Sequence, residues 1–386
     1  MSEARVFSGF PLSVDSLRFG KPLIADSELQ PPEPLAGDII KTVVLSLLFI
    51  VGAPLNILAT VFLNRTSRSA RSPYASAAFL LKKHLNAADL CILFIFVTSE
   101  VGWLLTYKWE GGAALCKTMA FLRVASFQVS SNVRVAIAAF QFRARRTQPP
   151  HSQPRTPVDP IPLTCGEVLS KEVRKEVSKE GCAEVGVVLC WLLALLLSAP
   201  QFLVWQLVNP YGAERDWAQC VTVWELRDYV NLTDHNPWYT TETARHIYSI
   251  YHLMVVFWLP IITSAVLILC ALCQRPVPPP RTELVRDNVH LMPISEDTSL
   301  EVAEVGELAE GRLASSKALI CSAKLLLVYI LCWAPFVLLE TWKVAHWGTY
   351  LIHGQNLAQV FVASIVFSTV LDPFLYGMFN SLHEWI

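Results

Sequence analysis

The chain has 386 residues, 53% of them hydrophobic and 16% charged, and its 31 Lys and Arg against 32 Asp and Glu leave a net charge of −1. That balance lies far from a soluble domain's and reads as a membrane protein. The near-neutral total excludes the basic surface that nucleic acid requires.

From the amino terminus, residues 1–38 are polar and proline-bearing, with no apolar stretch of signal-peptide length, and are expected outside the membrane. Apolar stretches close to the roughly 20 residues that cross hydrocarbon occur at about 42–63, 85–106, 113–142, 184–208, 247–273, 318–342 and 355–380. Residues 39–382 are thus expected to form an all-α bundle of seven transmembrane helices. The first span would serve as an uncleaved insertion signal. Arg65, Arg68, Arg71, Lys82 and Lys83 come after that span with no acidic residue, which marks its end as cytoplasmic and places the amino terminus outside.

Between the third and fourth spans lies an unusually long cytoplasmic loop, 143–183. It is proline-rich from Gln148 to Pro162 and charged near Lys171–Glu180, where opposite charges at neighbouring turns suit a solvated helix. The loop 274–317 holds a proline-rich stretch, Arg275–Arg281, and an acidic run near Glu296–Glu310, both expected to be disordered. The chain stops at Trp385-Ile386, barely past the last span, so residues 383–386 are expected to be a truncated end.

Of the ten cysteines, Cys91, Cys190, Cys270, Cys321 and Cys332 fall in or at the ends of spans, where a thiol packs as a small apolar group. Cys116 and Cys220 both lie on the oxidising side and are the one pair expected to bridge. The same outer loop holds Asn231-Leu232-Thr233, a glycosylation sequon on the correct face.

A proline inside a membrane helix removes a backbone hydrogen bond that lipid cannot replace, and such sites are usually hinges. Pro260, Pro335 and Pro373 are so placed. A carboxylate at bilayer depth is costlier still and survives only with partners in the bundle interior. Asp89 and Asp372 are therefore functional candidates.

Taken together, the polar residues resemble the rhodopsin-like class of G-protein-coupled receptors over most of the chain. The resemblance rests on Asn56, Leu85-Asn86-Ala87-Ala88-Asp89-Leu90, Cys116, Trp191, Pro200, Pro260, Cys332-Trp333-Ala334-Pro335-Phe336 and Leu371-Asp372-Pro373-Phe374-Leu375-Tyr376-Gly377. Asp372 stands where most of the class has Asn, and with Glu100, Trp103 and Trp109 it looks like the gonadotropin-releasing hormone and adipokinetic hormone receptor branch. The run through Trp333 and Pro335 reads more like the vasopressin and oxytocin receptors, and an invertebrate, nematode-like member would suit that mixture.

The resemblance implies a multi-pass plasma-membrane receptor that binds a peptide hormone outside and a heterotrimeric G protein inside, with no cofactor. Asp89, Asp372 and Asn56 would form a polar cluster able to hold water, a sodium ion or a shared proton. Pro373 and Tyr376 would form the inner hinge, with Trp333 at the pocket floor. Arg123, seven residues after Cys116, would either read a carbonyl or acidic group on the ligand or pair internally with Glu100, since an ion pair spares both charges. Trp103, Trp109, Gln128, Trp342 and His346 are further pocket candidates.

The pattern fails at the inner end of the third span, where the class has Asp-Arg-Tyr and this chain has Phe140-Gln141-Phe142. The next segment is open to three readings: a genuine long loop, a splice form, or an exon assigned in error. Arg134 is a further departure to which the sequence gives no role. A non-signalling product of such a receptor gene is the competing function. A transporter is remote, because no internal repeat appears, and an enzyme is not expected, because the spans show no nucleophile with an evident base and no metal-spaced cluster.

Overall fold

The computed structural model describes residues 5–6, 10–11, 34, 36–70, 72–146, 165–209, 217–224, 241–274, 296–346, 349–350 and 354–377. Its helices are α1 (Ala36–Arg68); α2 (Pro73–Cys91, a wide π-turn at Ile92–Val97, then Thr98–Thr106); α3 (Gly112–Arg146); and α4 (Cys165–Ser198). They continue with α5 (Glu242–Leu253, a π-turn at Met254–Trp258, then Leu259–Cys273), α6 (Glu296–Ala345) and α7 (Gln355–Ser364 and Phe367–Leu375). Two short antiparallel pairs accompany them: β1 (Arg5–Val6) with β2 (Phe10–Pro11), and β3 (Trp205–Val208) with β4 (Gln219–Thr222).

Local chemistry sets several ends. The Ser72 hydroxyl accepts from the Ala75 amide at 3.2 Å, with Pro73 in the first turn of α2, and Thr241 accepts from the Ala244 amide at 3.2 Å to open α5. Both are side-chain caps on orphan amides. Tyr107, with φ 52°, closes α2 in the left-handed conformation. The π-turn at Ile92–Val97 accommodates an extra residue, which rotates the outer turns of α2 by about 100°. Glu100 is thereby turned into the bundle, where it is buried.

Among the described residues, six stretches are long and apolar enough to cross a membrane: Ala36–Arg68, Tyr74–Thr106, Gly181–Val204, Glu242–Cys273, Ser316–Ala345 and Leu357–Leu375. The exception is α3, which carries Arg123, Gln128, Ser130, Ser131, Asn132, Arg134 and Gln141. It packs against α2, α4, α5 and α6, and most of those polar side chains are buried against its neighbours. A helix enclosed by others need not be apolar all round. The outer helices show the complementary pattern, with Ile50 and Leu58 on α1, Leu196 on α4, Leu269 on α5 and Leu338 on α6 exposed as a girdle suited to lipid.

α1, α3 and α6 extend past both ends of their expected spans, and α2, α4 and α5 begin before theirs, because hydropathy marks the hydrocarbon, not the helix. α4 ends at Ser198, short of the expected 208, where Trp205–Val208 is strand instead. The largest departure is on the cytoplasmic side. The acidic run near Glu296–Glu310, expected to be disordered, is helical backbone continuous with α6, consistent with its content of Glu, Ala and Leu. Lys171–Glu180 is helical, as its charge pattern suggests, and is continuous with the fourth span within α4. Asn231, the stretches Gln148–Pro162 and Arg275–Arg281, and residues 383–386 lie outside the described residues.

The core has an outer and an inner part. Leu45, Phe96, Phe127, Phe257, Tyr329, Trp333 and Val366 pack together in the first, and Leu63, Leu85, Val133, Ile137, Leu325 and Tyr376 in the second. At the outer surface a disulfide joins Cys116 of α3 to Cys220 of β4, as expected, across a sequence separation of 104.

Close approach of α1, α2 and α7 depends on Gly52, where a Cβ would stand 2.8 Å from Cγ2 of Val370 and 3.3 Å from a Leu93 methyl. Gly52→Leu is expected to lower stability by about 1–3 kcal/mol through overpacking. Thermal unfolding of the detergent-solubilised protein checks this, and a variant that melts with the wild type would show that the helices are not held so near.

Candidate functional site

Two buried polar assemblies lie one above the other. The outer one draws on α1, α2, α3 and α7. Its centre is Glu100, which ion-pairs through Oε1 with Lys41 and through Oε2 with Arg123 Nη1 at 2.8 Å. Lys41 Nζ also donates to Gln359 Oε1 at 3.1 Å, and Arg123 Nε donates to Ser99 Oγ at 2.8 Å. Of the two readings left open for Arg123, the structure contains the internal pair with Glu100. The Arg123 Nη2 atom is buried with no hydrogen-bond partner among the described residues.

A small cleft adjoins this cluster, lined by Asp38, Trp103, Leu104, Tyr107, Trp217, Gln219 and Gln359. The β3–β4 hairpin closes it. Trp103 Nε1 donates to Gln219 Oε1 at 2.9 Å, and both Gln219 Nε2 and Trp217 Nε1 donate to the Tyr107 carbonyl at 2.9 Å. Trp109 braces the turn, its amide donating to the Ala218 carbonyl at 2.7 Å and its indole to the Gly112 carbonyl at 3.0 Å.

Of the pocket candidates, only Glu100, Arg123 and Trp103 converge here. Gln128 lies deeper and donates to Asn132 Oδ1 and the Val255 carbonyl, both at 3.0 Å. Trp333 is 3% exposed and packs with Phe127, Phe257, Tyr329 and Phe336 at centroid distances of 5.4, 6.1, 5.1 and 6.0 Å. It sits between the two assemblies. Trp342 belongs instead to a separate outer cluster with Tyr350 and donates to Thr349 Oγ1 at 3.0 Å. The His346 carbonyl accepts from that hydroxyl at 3.1 Å.

Below Trp333 is the inner assembly. Asn56 Nδ2 donates to the Gly52 carbonyl at 2.9 Å and the Thr369 carbonyl at 3.1 Å, tying α1 to α7. Asn86 Nδ2 donates to the Asn56 carbonyl at 3.0 Å and to Thr60 Oγ1 at 2.8 Å. The Tyr376 hydroxyl donates to Asp89 Oδ2 at 3.3 Å. Arg134 enters this cluster from α3: its guanidinium pairs with Asp372 Oδ2, bonds Ser130 Oγ and lies 4.7 Å from the centroid of the Tyr329 ring. Asp89, Asp372 and Asn56 are fully buried.

Pro373 lies within α7 beside Asp372, and Pro335 within α6 two residues beyond Trp333. Pro260 comes just after the π-turn of α5, at the start of the segment Leu259–Cys273. All three sit where the helical ladder is already interrupted or adjoins a polar site.

At the cytoplasmic end, Gln141 accepts from the Tyr74 hydroxyl at 2.6 Å, and Tyr74 stacks on Phe140 with centroids 5.1 Å apart. Arg145, four residues on, donates to the Ala271 carbonyl at 3.0 Å and Ser316 Oγ at 3.1 Å, linking α3 to α5 and α6.

Sequence reasoning does not anticipate Lys41, Gln359 or Ser99. Lys41 stands one residue before the expected first span and passes for a flank, yet an ammonium at the head of an apolar helix is a signal for an acidic partner. No group of three or more His, Cys, Asp or Glu placed to hold a metal occurs among the described residues.

Residues 169–376 match the family described as 7 transmembrane receptor (rhodopsin family). The chain is 28% identical to the G-protein coupled receptor daf-38 of Caenorhabditis elegans, over 92% of either chain. It is 24% identical to the vasopressin V1b receptor of Mus musculus over 79% of this chain and 65% of that one. With the gonadotropin-releasing hormone II receptor of Clarias gariepinus the identity is 22%, over 77% of this chain and 64% of the relative. The chain thus spans just under two thirds of the last two.

Replacing Glu100 by Gln would leave Lys41 and Arg123 buried without their shared acid, and breaking a buried pair costs about 3–5 kcal/mol. Lys41→Met should cost less, since Arg123 still answers Glu100. Unfolding of both single variants and the double variant measures this, and non-additivity is the expected signature. An E100Q protein that melts with the wild type would sink the ion-cluster assignment.

Proposed function

The chain belongs to the rhodopsin family of seven-transmembrane receptors, a multi-pass class of the plasma membrane, and from that premise we propose that it senses an extracellular peptide hormone. The hormone is of the gonadotropin-releasing, adipokinetic or vasopressin-like kind, and its binding is passed to a heterotrimeric G protein. The observation that carries the proposal is the spare donor of Arg123 beside Glu100, under a cleft closed by a disulfide-anchored hairpin. The relatives named as vasopressin and gonadotropin-releasing hormone receptors support a peptide over other ligands.

A ligand shifts the balance between states only by binding one of them better. A carbonyl or carboxylate from the peptide would take donors of Arg123 and loosen its hold on Glu100, altering how α2 and α3 meet. Below, Phe127 touches Trp333, Trp333 touches Tyr329, and Tyr329 lies against Arg134. That contiguous packing gives a change at the outer cluster a physical route to α7.

A second reading, a receptor without G-protein output, is favoured by Gln141 standing bonded to Tyr74 where the class has its arginine. One experiment separates the two. Cells displaying the receptor are exposed to amidated peptides while calcium release and labelled-peptide binding are both followed. A dose-dependent calcium rise supports the proposal, and R123A should then raise the half-maximal concentration by roughly 10- to 100-fold, the worth of one charged hydrogen bond. Binding without calcium release selects the second reading, and absence of both removes the peptide hypothesis.

A further inference from the structure

We propose that Arg134 acts as the resident cation of the intramembrane carboxylate cluster and closes that cluster to sodium. The sequence assembles Asp89 and Asp372 at bilayer depth, a pair of acids that invites a small cation from the medium. The residues present do not fit that occupant.

The fit fails first on charge. Asp89 and Asp372 together can carry two negative charges, and Arg134, with its side chain 4% exposed, ion-pairs directly with Asp372 Oδ2. A sodium ion placed to touch both acids would stand beside a guanidinium in a medium of low dielectric, where like charges repel strongly. The remaining unit of charge needs no metal, because a single proton shared between Asp89 Oδ1 and Asp372 Oδ1, both buried without a hydrogen-bond partner among the described residues, can answer it.

It fails next on the donor set. Ser130 Oγ, a natural ligand oxygen on α3, is taken by Arg134 Nη1, and Asp89 Oδ2 is taken by the Tyr376 hydroxyl. The guanidinium is also held from its face by the Tyr329 ring, which adds a cation–π contact. Tyr329 is fixed in turn by donating to the Val256 carbonyl at 3.1 Å.

It fails last on entropy. Arg134 is tethered to α3 and need not be drawn from solution, so its occupancy of the site carries none of the translational cost that a free ion would incur. A cation that cannot leave also ties α3 to α7 permanently, whereas an exchangeable ion would do so only while bound.

The test tracks the midpoint of thermal unfolding of the full chain in detergent, in sodium chloride and in N-methylglucamine chloride of equal ionic strength. The readout is the sodium-specific shift that D89N abolishes. The wild type is expected to show none, while R134Q should acquire a rise of roughly 2–4 °C near physiological sodium, the size of weak single-site binding. A D89-dependent sodium shift in the wild type overturns the proposal, and so does a folded R134Q without one. Where R134Q does not fold, R134M takes its place, and the wild-type arm decides by itself.

Discussion

Within hydrocarbon a charge has no water to face, so a buried ion is held where a counter-ion on another helix meets it. Two such meetings organise the molecule. Glu100 gathers Lys41 and Arg123 at the outer level, and Asp372 receives Arg134 at the inner one. Because α3 supplies a cation to each, it has to be enclosed, and its position among α2, α4, α5 and α6 accords with the charges it carries. Neither pair is a cheap source of stability, since desolvation offsets much of the attraction. Their effect is to fix which faces of the helices meet.

The layer between the two levels is aromatic. Phe127, Phe257, Tyr329 and Trp333 interlock there, and a close-packed interior transmits strain from one such side chain to the next. The polar ends of this layer are Arg123 above and Arg134 below, both on α3. The inner face is arranged differently from the class pattern, with Gln141 held by Tyr74 and Arg145 bridging to α5 and α6. Arg145 is thus a link among three helices at that face, one turn further along than the class motif.

The membrane class and the seven-helix arrangement were legible because they depend on composition, on apolar length and on local interruptions such as Pro335 and Pro373. The disulfide was legible because topology left Cys116 and Cys220 as the one pair on the oxidising side. Pairing at long range could not be read. Arg134 and Asp372 are 238 positions apart, and nothing local to Arg134 marks its partner; the same holds for Lys41 and Gln359, 318 apart. The inward turn of Glu100 depends on the π-turn before it, which no residue in Ile92–Val97 announces. Helix ends were misjudged for a different reason, since polar residues such as those of Glu296–Glu310 extend a helix into water without altering where the lipid stops.

The Arg134–Asp372 contact also bears on how such a chain can change over time. Neutralising either partner alone strands a charge in the bundle core, so each single step passes through a damaged protein even though losing both together leaves a sound, uncharged contact. Substitution at either position is therefore tolerated best when the other changes with it.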